Sequence, residues 1–534
     1  MRIKSNLGDL PLGWAHATID VLVPSCGVFN DGDWVESKDQ DPNGDVRLIQ
    51  LADIGDGIFI DKSNRFLTRK KASELNCTFL NNGDLLIARM PDPLGRACLF
   101  PLSGAEKYVT VVDVCIVRLG QHSANRKFLM YVINSPEIRS QIETYKSGST
   151  RKRISRANLK KITFPLPPRK EQDRIVARIE TLFADLESGI QCLVAVRKQM
   201  EVYRQSFLKR AFEGKLTEGW RVKGGGHRES ADELLERLMK ARESNLQIRP
   251  NALKVPVRQE RARKAPKKPQ ELKMLTEPFR SRLPELPLGW NWTPLAWLLA
   301  IDRKPMTTGP FGTMLKKSDH RPTGVPVLGI ENIGKAVFVE GNKIFISETK
   351  ANDLPAFEVE AGDIIISRSG TVGEICEVPF GLGRALISTN LLRVALNPEV
   401  IRSRFFVFLF QACVSVKGQV NELCKGSSRD FLNQAILSAL AFPLPSLPEQ
   451  DELLSQIDSE VSRLEKLNEE IEANLLRGAA LRQSILKAAI AGKLILRNRK
   501  DEPASMLLER IKNEKIAKVS SEKTKPKNGR RKAA

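Results

Sequence analysis

After Pro168 the apolar residues recur at steps of three and four. The series is Ile175, Ile179, Leu182 and Leu186, then Ile190, Leu193 and Met200, with Arg197 in phase. A second series, Leu454, Ile457, Val461, Leu464, Ile471 and Leu475, follows Ser446. Alternating steps over several heptads predict two amphipathic helices with a coiled-coil seam. Each is expected to run from a Glu-Gln pair (Glu171-Gln172, Glu449-Gln450) to a Gly-Lys pair (Gly214-Lys215, Gly492-Lys493). That is about 40 residues, or about 60 Å at about 1.5 Å per residue. The two glycines stand where C-terminal caps belong. Burial in an ordinary helical bundle is the plainer alternative. With no other long amphipathic helix in the pattern, antiparallel pairing of the two with each other is favoured. Elsewhere the texture changes to short Val/Ile-rich runs, such as Val109–Leu119 and Asp363–Ser367, broken by Gly, Pro, Asn and Asp. Those runs predict mixed α/β domains.

The chain repeats itself. LPLGW begins at Leu10 and at Leu286, GDLLIAR at Gly83 is echoed by GDIIISR at Gly362, and KSGSTRKR at Lys146 by KGSSRDF at Lys425. FPLPP at Phe164 matches FPLPS at Phe442, RQSFLKRAFEGKL at Arg204 matches RQSILKAAIAGKL at Arg482, and LLERL at Leu234 matches LLERI at Leu507. A spacing of 276–279 residues for most of these matches marks a duplicated module, since solenoid units run about 20–50 residues. The blocks at the edges of each copy repeat while the interiors differ, as expected of one scaffold reading two targets. The expected architecture is α+β: two mixed α/β recognition domains alternating with two long helices, with internal pseudo-two-fold symmetry. The expected boundaries are 1–168, 169–220 (helix), 221–285 (basic linker with a short helix), 286–446, 447–496 (helix) and 497–534 (short helix and basic tail). If the helices pair antiparallel, the domains fall at opposite ends of a rod and suit two unlike half-sites on one DNA duplex.

Charge points the same way more weakly. The net charge of +22 and pI of about 9.7 suit a polyanionic partner. Yet the segments 221–285 and 497–534 supply about +16 of it, and such stretches are often simply solvated. Eight scattered cysteines without a C-x-x-C pair, and an N-terminus without an apolar signal core, lead us to expect a cytoplasmic protein with free thiols. Metal chemistry is not expected from four isolated histidines, His16, His122, His227 and His320. No phosphate loop, G-x-G-x-x-G turn or N-P-P-[YF] segment is present, and Pro91-Asp92 lacks a following E-x-K, so no catalytic centre is expected in the chain.

Taken together, LP-x-GW, FPLPP followed by Glu-Gln, the RQS…GKLTEGWR segment (204–221) and LLERIKNEK with its basic tail resemble the specificity subunit of type I restriction-modification enzymes, the HsdS family. The resemblance covers essentially the whole chain in the family's order. It implies that each domain reads half of an asymmetric bipartite site. It also implies that the helices set the spacer and dock two methyltransferase subunits, and that two restriction-translocase subunits complete the complex. S-adenosylmethionine, ATP and Mg²⁺ are implied for those partners and no cofactor for this chain. The rival readings are a stand-alone two-headed DNA-binding regulator, a nuclease carrying its own specificity repeat, and a structural coiled-coil adaptor.

Phosphate and base contacts need Lys, Arg, Ser and Thr side chains on accessible loops. The candidates are Lys146, Ser147, Ser149, Thr150, Arg151 and Arg153 in the first domain, and Lys425, Ser427, Ser428 and Arg429 in the second. A flexible surface turn is the alternative for both loops. Arg89 and Arg96, with Arg368 and Thr371 in the other copy, flank a loop that differs between copies. Pro310–Arg321 is similar to the loop by which second domains of the family approach DNA, which makes Lys316, Lys317 and Arg321 candidates. Trp14 and Trp290, at matching places in an apolar frame, are expected in the core. The LLER helices, Leu234–Arg242 and Leu507–Lys515, are implied contacts for the methyltransferase.

Overall fold

The computed structural model describes residues 10–90, 93–120, 123–148, 151–224, 230–248, 277–368, 372–424 and 432–523. The chain divides into two compact units: Met1–Ala195 with Ile471–Ala534, and Val196–Glu470. Each long helix, Arg169–Phe212 and Leu447–Ile490, is 44 residues and contributes to both units.

In the first unit the strand Leu85–Ala88 is wholly buried and pairs antiparallel with Ala97–Leu99 and with Val114–Arg118; Val28–Asp31 adds to the far side of Val114–Arg118. A smaller sheet sets Val46–Ile49 between Phe66–Leu67 and a parallel neighbour, Tyr108–Thr110. The apolar run Val109–Leu119, one stretch to sequence reasoning, is thus cut into strands of two sheets by the turn at Val111–Asp113. A third pairing, Ala15–Thr18 with Thr163–Leu166, ties the start of the domain to the proline-rich segment before the helix.

The second unit repeats this plan. Ile364–Ser367 lies between Leu391–Val394 and Ile375–Glu377, with Met306–Thr308 on the outer edge. Val325–Leu328 runs parallel to Ala385–Ile387, and Asn291–Pro294 pairs with Ala441–Leu444. Two blocks with no literal sequence match, after Arg89 and after Arg368, occupy the same place, the connection between paired strands. The apolar run Phe405–Phe410 lies within the buried helix Ser403–Ala412.

The Gly-Asp of each GD repeat has a structural task. Asp84 is buried, accepts from the Asn81 amide (2.8 Å) and takes a two-pronged grip from Arg118 (2.8 and 2.6 Å). Asp363, equally buried, accepts from the Glu360 amide (2.9 Å), pairs with Arg303 through two bonds and lies 3.6 Å from Arg393. A buried carboxylate persists only when its lone pairs are filled and its charge matched.

The helices pair antiparallel within each unit. In the first, Arg482 sits over the Phe183 ring at 4.2 Å, and Gly478 faces Leu186 and Ile190. Ile175, Val176 and Ile179 share a core with Ile485, Leu486 and Ala489. In the second, Leu208 and Phe212 share a core with Leu453 and Ile457. Of the predicted seam, Ile175, Ile179, Ile457, Leu464 and Ile471 are buried, and Leu182, Leu186, Leu454 and Val461 are half-buried. Seam positions in the second helix keep a strict seven-residue step (457, 464, 471, 478, 485), whereas the first helix takes two consecutive steps of four at Leu182–Leu186–Ile190. Small Gly478 opposes that stutter.

Candidate nucleic-acid interface

Each domain is joined to the helices by matching contacts of Gln, Gly and Ala residues, with the helix ends crossed and with different partners for the two Glu side chains. In the first unit the helix that leaves the domain begins with Glu171 and Gln172. Gln172 accepts from the Asn125 amide (2.7 Å) and donates to the Pro167 carbonyl (2.8 Å), while Glu171 accepts from the Trp14 indole (3.2 Å). Burial pushes the Glu171 carboxyl up, and the Trp14 bond and Arg174 oppose that shift. The end of the other helix arrives at the same place: Gly492, at φ +67°, packs where a side chain would strike Pro11 and Trp14. The helix Ala504–Lys523 then lays Leu507 and Ile511 into this core, and the Ala504 amide donates to the Gly13 carbonyl (2.9 Å).

In the second unit the roles exchange. Gln450 accepts from the Arg402 amide (2.9 Å) and donates to Val400 and Pro445 (2.9 and 3.0 Å). Glu449 accepts from Thr217 (2.6 Å) and pairs with Arg221, both of which follow the end of the first helix. Gly214, at φ +66°, packs against Pro287, and the Ala231 amide donates to the Gly289 carbonyl (3.1 Å). The repeated LPLGW, Glu-Gln, GKL and LLER blocks are therefore the parts of one joint made twice. Trp14 and Trp290 lie in it, buried. Inward faces of the LLER helices are filled from within their own units: Leu234 and Leu235 in one, Leu507 and Ile511 in the other. Those helices are longer than sequence reasoning expected, Ala231–Ile248 and Ala504–Lys523.

The candidate contact residues fall into three groups. Arg153 and Ser147 exchange backbone bonds (2.9 Å each way), which closes a loop around Gly148. Arg151 and Arg153 are exposed and line an open cleft of about 680 Å³ with Trp34, Glu36, Met90 and Asp113. Lys146 pairs with Glu143. Lys316, Lys317 and Arg321 are also exposed, on the turn around Lys317–Asp319; Arg321 donates to the Ser318 and His320 carbonyls (2.9 and 2.8 Å).

Arg89 and Arg368 form the second group and are turned inward. Their backbones make matching bonds, Arg89 to Asp113 (2.9 Å) and Arg368 to Asn390 (3.0 Å). The Arg89 guanidinium donates to the Ile154 and Val112 carbonyls (2.9 and 3.1 Å) and pairs with Asp31 at 2.6 Å. Where the first domain has Asp31, the second has Thr308, and the buried Arg368 guanidinium lies 5.6 Å from the Phe311 ring centroid. Burial lowers the Arg368 pKa. Arg96 is half-buried on the connection between Ala88 and Ala97, near Arg139. The third group, Ser149, Thr150, Thr371, Lys425, Ser427, Ser428 and Arg429, lies outside the described residues, as does Pro91-Asp92.

Trp34 and Phe311 carry no repeat or motif that marks them in the sequence. Both are exposed, at 70% and 60%, beside these cations. Counting back along the sheets from the two GD strands would have aligned them, because Val28–Asp31 and Met306–Thr308 hold the same edge.

Among the described residues no group of three His, Cys, Asp or Glu side chains could hold a metal ion, and no helix is long and apolar enough to cross a membrane. The described cysteines, from Cys26 to Cys413, are free thiols.

The family described as type I restriction modification DNA specificity domain matches residues 20–194 and again 311–475. The chain belongs to that family. It is 23% identical over 415 residues to the type I restriction enzyme EcoBI specificity subunit of Escherichia coli, covering 76% of this chain and 75% of that protein. The EcoKI specificity subunit of Escherichia coli K12 is 24% identical, over 73% of this chain and 72% of its own length. In fold, the chain is similar to the HsdS subunit of Thermoanaerobacter tengcongensis (TM-score 0.51, 16% identity, 91% of this chain and 98% of that one). A chain from a solved type I R-M system gives a TM-score of 0.60 at 17% identity, with 91% and 99% covered. One matched segment falls in each copy of the internal repeat, and both run into a long helix.

Proposed function

We propose that the chain is the DNA-specificity subunit of a type I restriction-modification complex, without chemistry of its own. Each domain reads one half of an asymmetric bipartite site, and the paired helices fix the gap between the halves. The observation that carries this reading is the crossed joint. Each domain grips the start of the helix that follows it, through Gln172 or Gln450, and the end of the other helix, through the close approach of Gly492 or Gly214 and the Ala504–Gly13 or Ala231–Gly289 bond. Two helices of 44 residues clamped at both ends in this way make a stiff spacer, which a flexible linker could not replace.

Membership of the specificity-subunit family supports docking of two adenine methyltransferase subunits on the helices. Two translocase-nuclease subunits complete the restriction form. S-adenosylmethionine, ATP and Mg²⁺ belong to those partners.

The test is to express the chain with its methyltransferase partner and map methylated adenines across the host genome. The expected result is one motif with two unlike short halves and a constant unread gap. A single contiguous motif, or no motif, would contradict the proposal.

A further inference from the structure

We infer that Trp34 and Phe311 are specificity-determining residues, each ring making apolar contact with a base of the half-site its own domain reads. The inference rests on the DNA-reading role proposed above and names side chains for it.

The two residues are structural equivalents although their surroundings share almost no sequence. In the first domain the Gly32 amide donates to the Val114 carbonyl (2.7 Å), and in the second the Gly309 amide donates to the Leu391 carbonyl (3.0 Å). Val114 and Leu391 are themselves equivalent, opposite Ala88 and Ser367 at the ends of the GD strands. Each glycine lies so close to the facing chain that a Cβ would collide with a carbonyl oxygen, of Val111 in one case and of Ser388 in the other. The next residue is pinned as well: the Asp33 amide donates to Thr110 (2.8 Å), and the Thr389 hydroxyl donates to the Pro310 carbonyl (2.6 Å). Two positions after each glycine, the chain turns outward and presents an aromatic ring.

A single exposed hydrophobe calls for no explanation. Two large rings at the same pinned position of duplicated domains do, when the residues around them have diverged. The neighbours indicate the occupant. Trp34, whose indole donates to Glu36 (3.2 Å), shares its cleft with the exposed Arg151 and Arg153 as well as with Asp33 and Asp113, while Phe311 lies over the buried Arg368 and precedes the exposed Lys316 and Lys317. Cations that meet phosphates around a ring that meets a base are the composition of a nucleic-acid surface. On duplex DNA a ring reads sequence through apolar contact with a thymine methyl. The difference in ring, indole against phenyl, suits domains that face different bases.

The test uses the complex with its methyltransferase partner and duplexes bearing the mapped site, with either half scrambled in turn, followed by fluorescence anisotropy. Trp34→Ala should weaken binding of the intact site about tenfold and flatten discrimination in one half only; Phe311→Ala should do so in the other. Both should leave affinity for fully scrambled duplex, and its salt dependence, unchanged. Trp34→Phe should retain most of the discrimination. Variants that bind like the parent, that lose intact and scrambled duplex alike, or that both affect the same half would overturn the inference while leaving the bipartite reading intact. If the parent complex itself does not distinguish the intact site from scrambled DNA, the DNA-reading proposal falls and this inference with it.

Discussion

Replacing Asp363 with leucine should cost about 3–5 kcal/mol, the usual penalty for removing one member of a buried ion pair. Asp363 is fully buried and answers Arg303 and Arg393, and the Arg393 side chain is itself only 7% exposed. Burial lowers the Arg393 pKa and the Asp363 charge is the largest to oppose that shift, so leucine leaves Glu360 as the carboxylate facing this cation, which keeps its bonds to the Glu358 and Lys304 carbonyls and the Thr307 hydroxyl. The Glu360 amide loses its acceptor as well. A urea titration should show an earlier transition. Amide exchange should place the lost protection in Ile364–Ser367 and Leu391–Val394, with Leu85–Ala88 unaffected. Because a bipartite site needs both halves read, methylation should also fall sharply. Asp84→Leu should produce the converse pattern, since Arg118 is its partner in the first domain.

The second large effect is expected at the joint. Arg221→Leu removes the cation that Glu449 faces, and the Glu449 side chain is 4% exposed. Thr217 remains a donor to Glu449 but carries no charge. The expected cost is again about 3–5 kcal/mol. The double variant Arg221→Leu with Glu449→Leu separates charge from packing: a buried pair replaced whole by apolar residues is far less costly than a broken one. Recovery of most of the lost stability in the double variant, read from urea midpoints, is the expected outcome. Equal loss in both would mean that the side chains matter for shape alone.

Much of this plan was legible in the sequence because each repeated block does one physical job that few residues can do. Gly214 and Gly492 must adopt a left-handed backbone and let a proline ring approach. The Gln of each Glu-Gln pair must satisfy backbone groups at the entry to a helix. Periodicity revealed both helices, because a stripe of Ile and Leu along a helix 44 residues long must be covered by a partner. The interiors were harder. Val109–Leu119 looks like one strand, and only the sheet shows that its halves belong to different layers. Arg89 has the composition of a DNA contact, but Asp31, distant in sequence, holds its charge inside the domain. Trp34 escaped notice because nothing near it repeats. Its counterpart Phe311 is found by strand register, a property of the fold that residue identity does not reveal.

Shortening the paired helices tests whether they act as a ruler. Removing one heptad from each at facing positions, Glu187–Leu193 and Ala473–Ala479, keeps the seam in phase and takes out about 10 Å. That is the rise of about three base pairs at ~3.4 Å each. Sequencing of methylated adenines in cells that express the shortened chain with its methyltransferase should recover the same two half-sites with a narrower gap. Methylation that persists at the original gap would show that the helices do not set it.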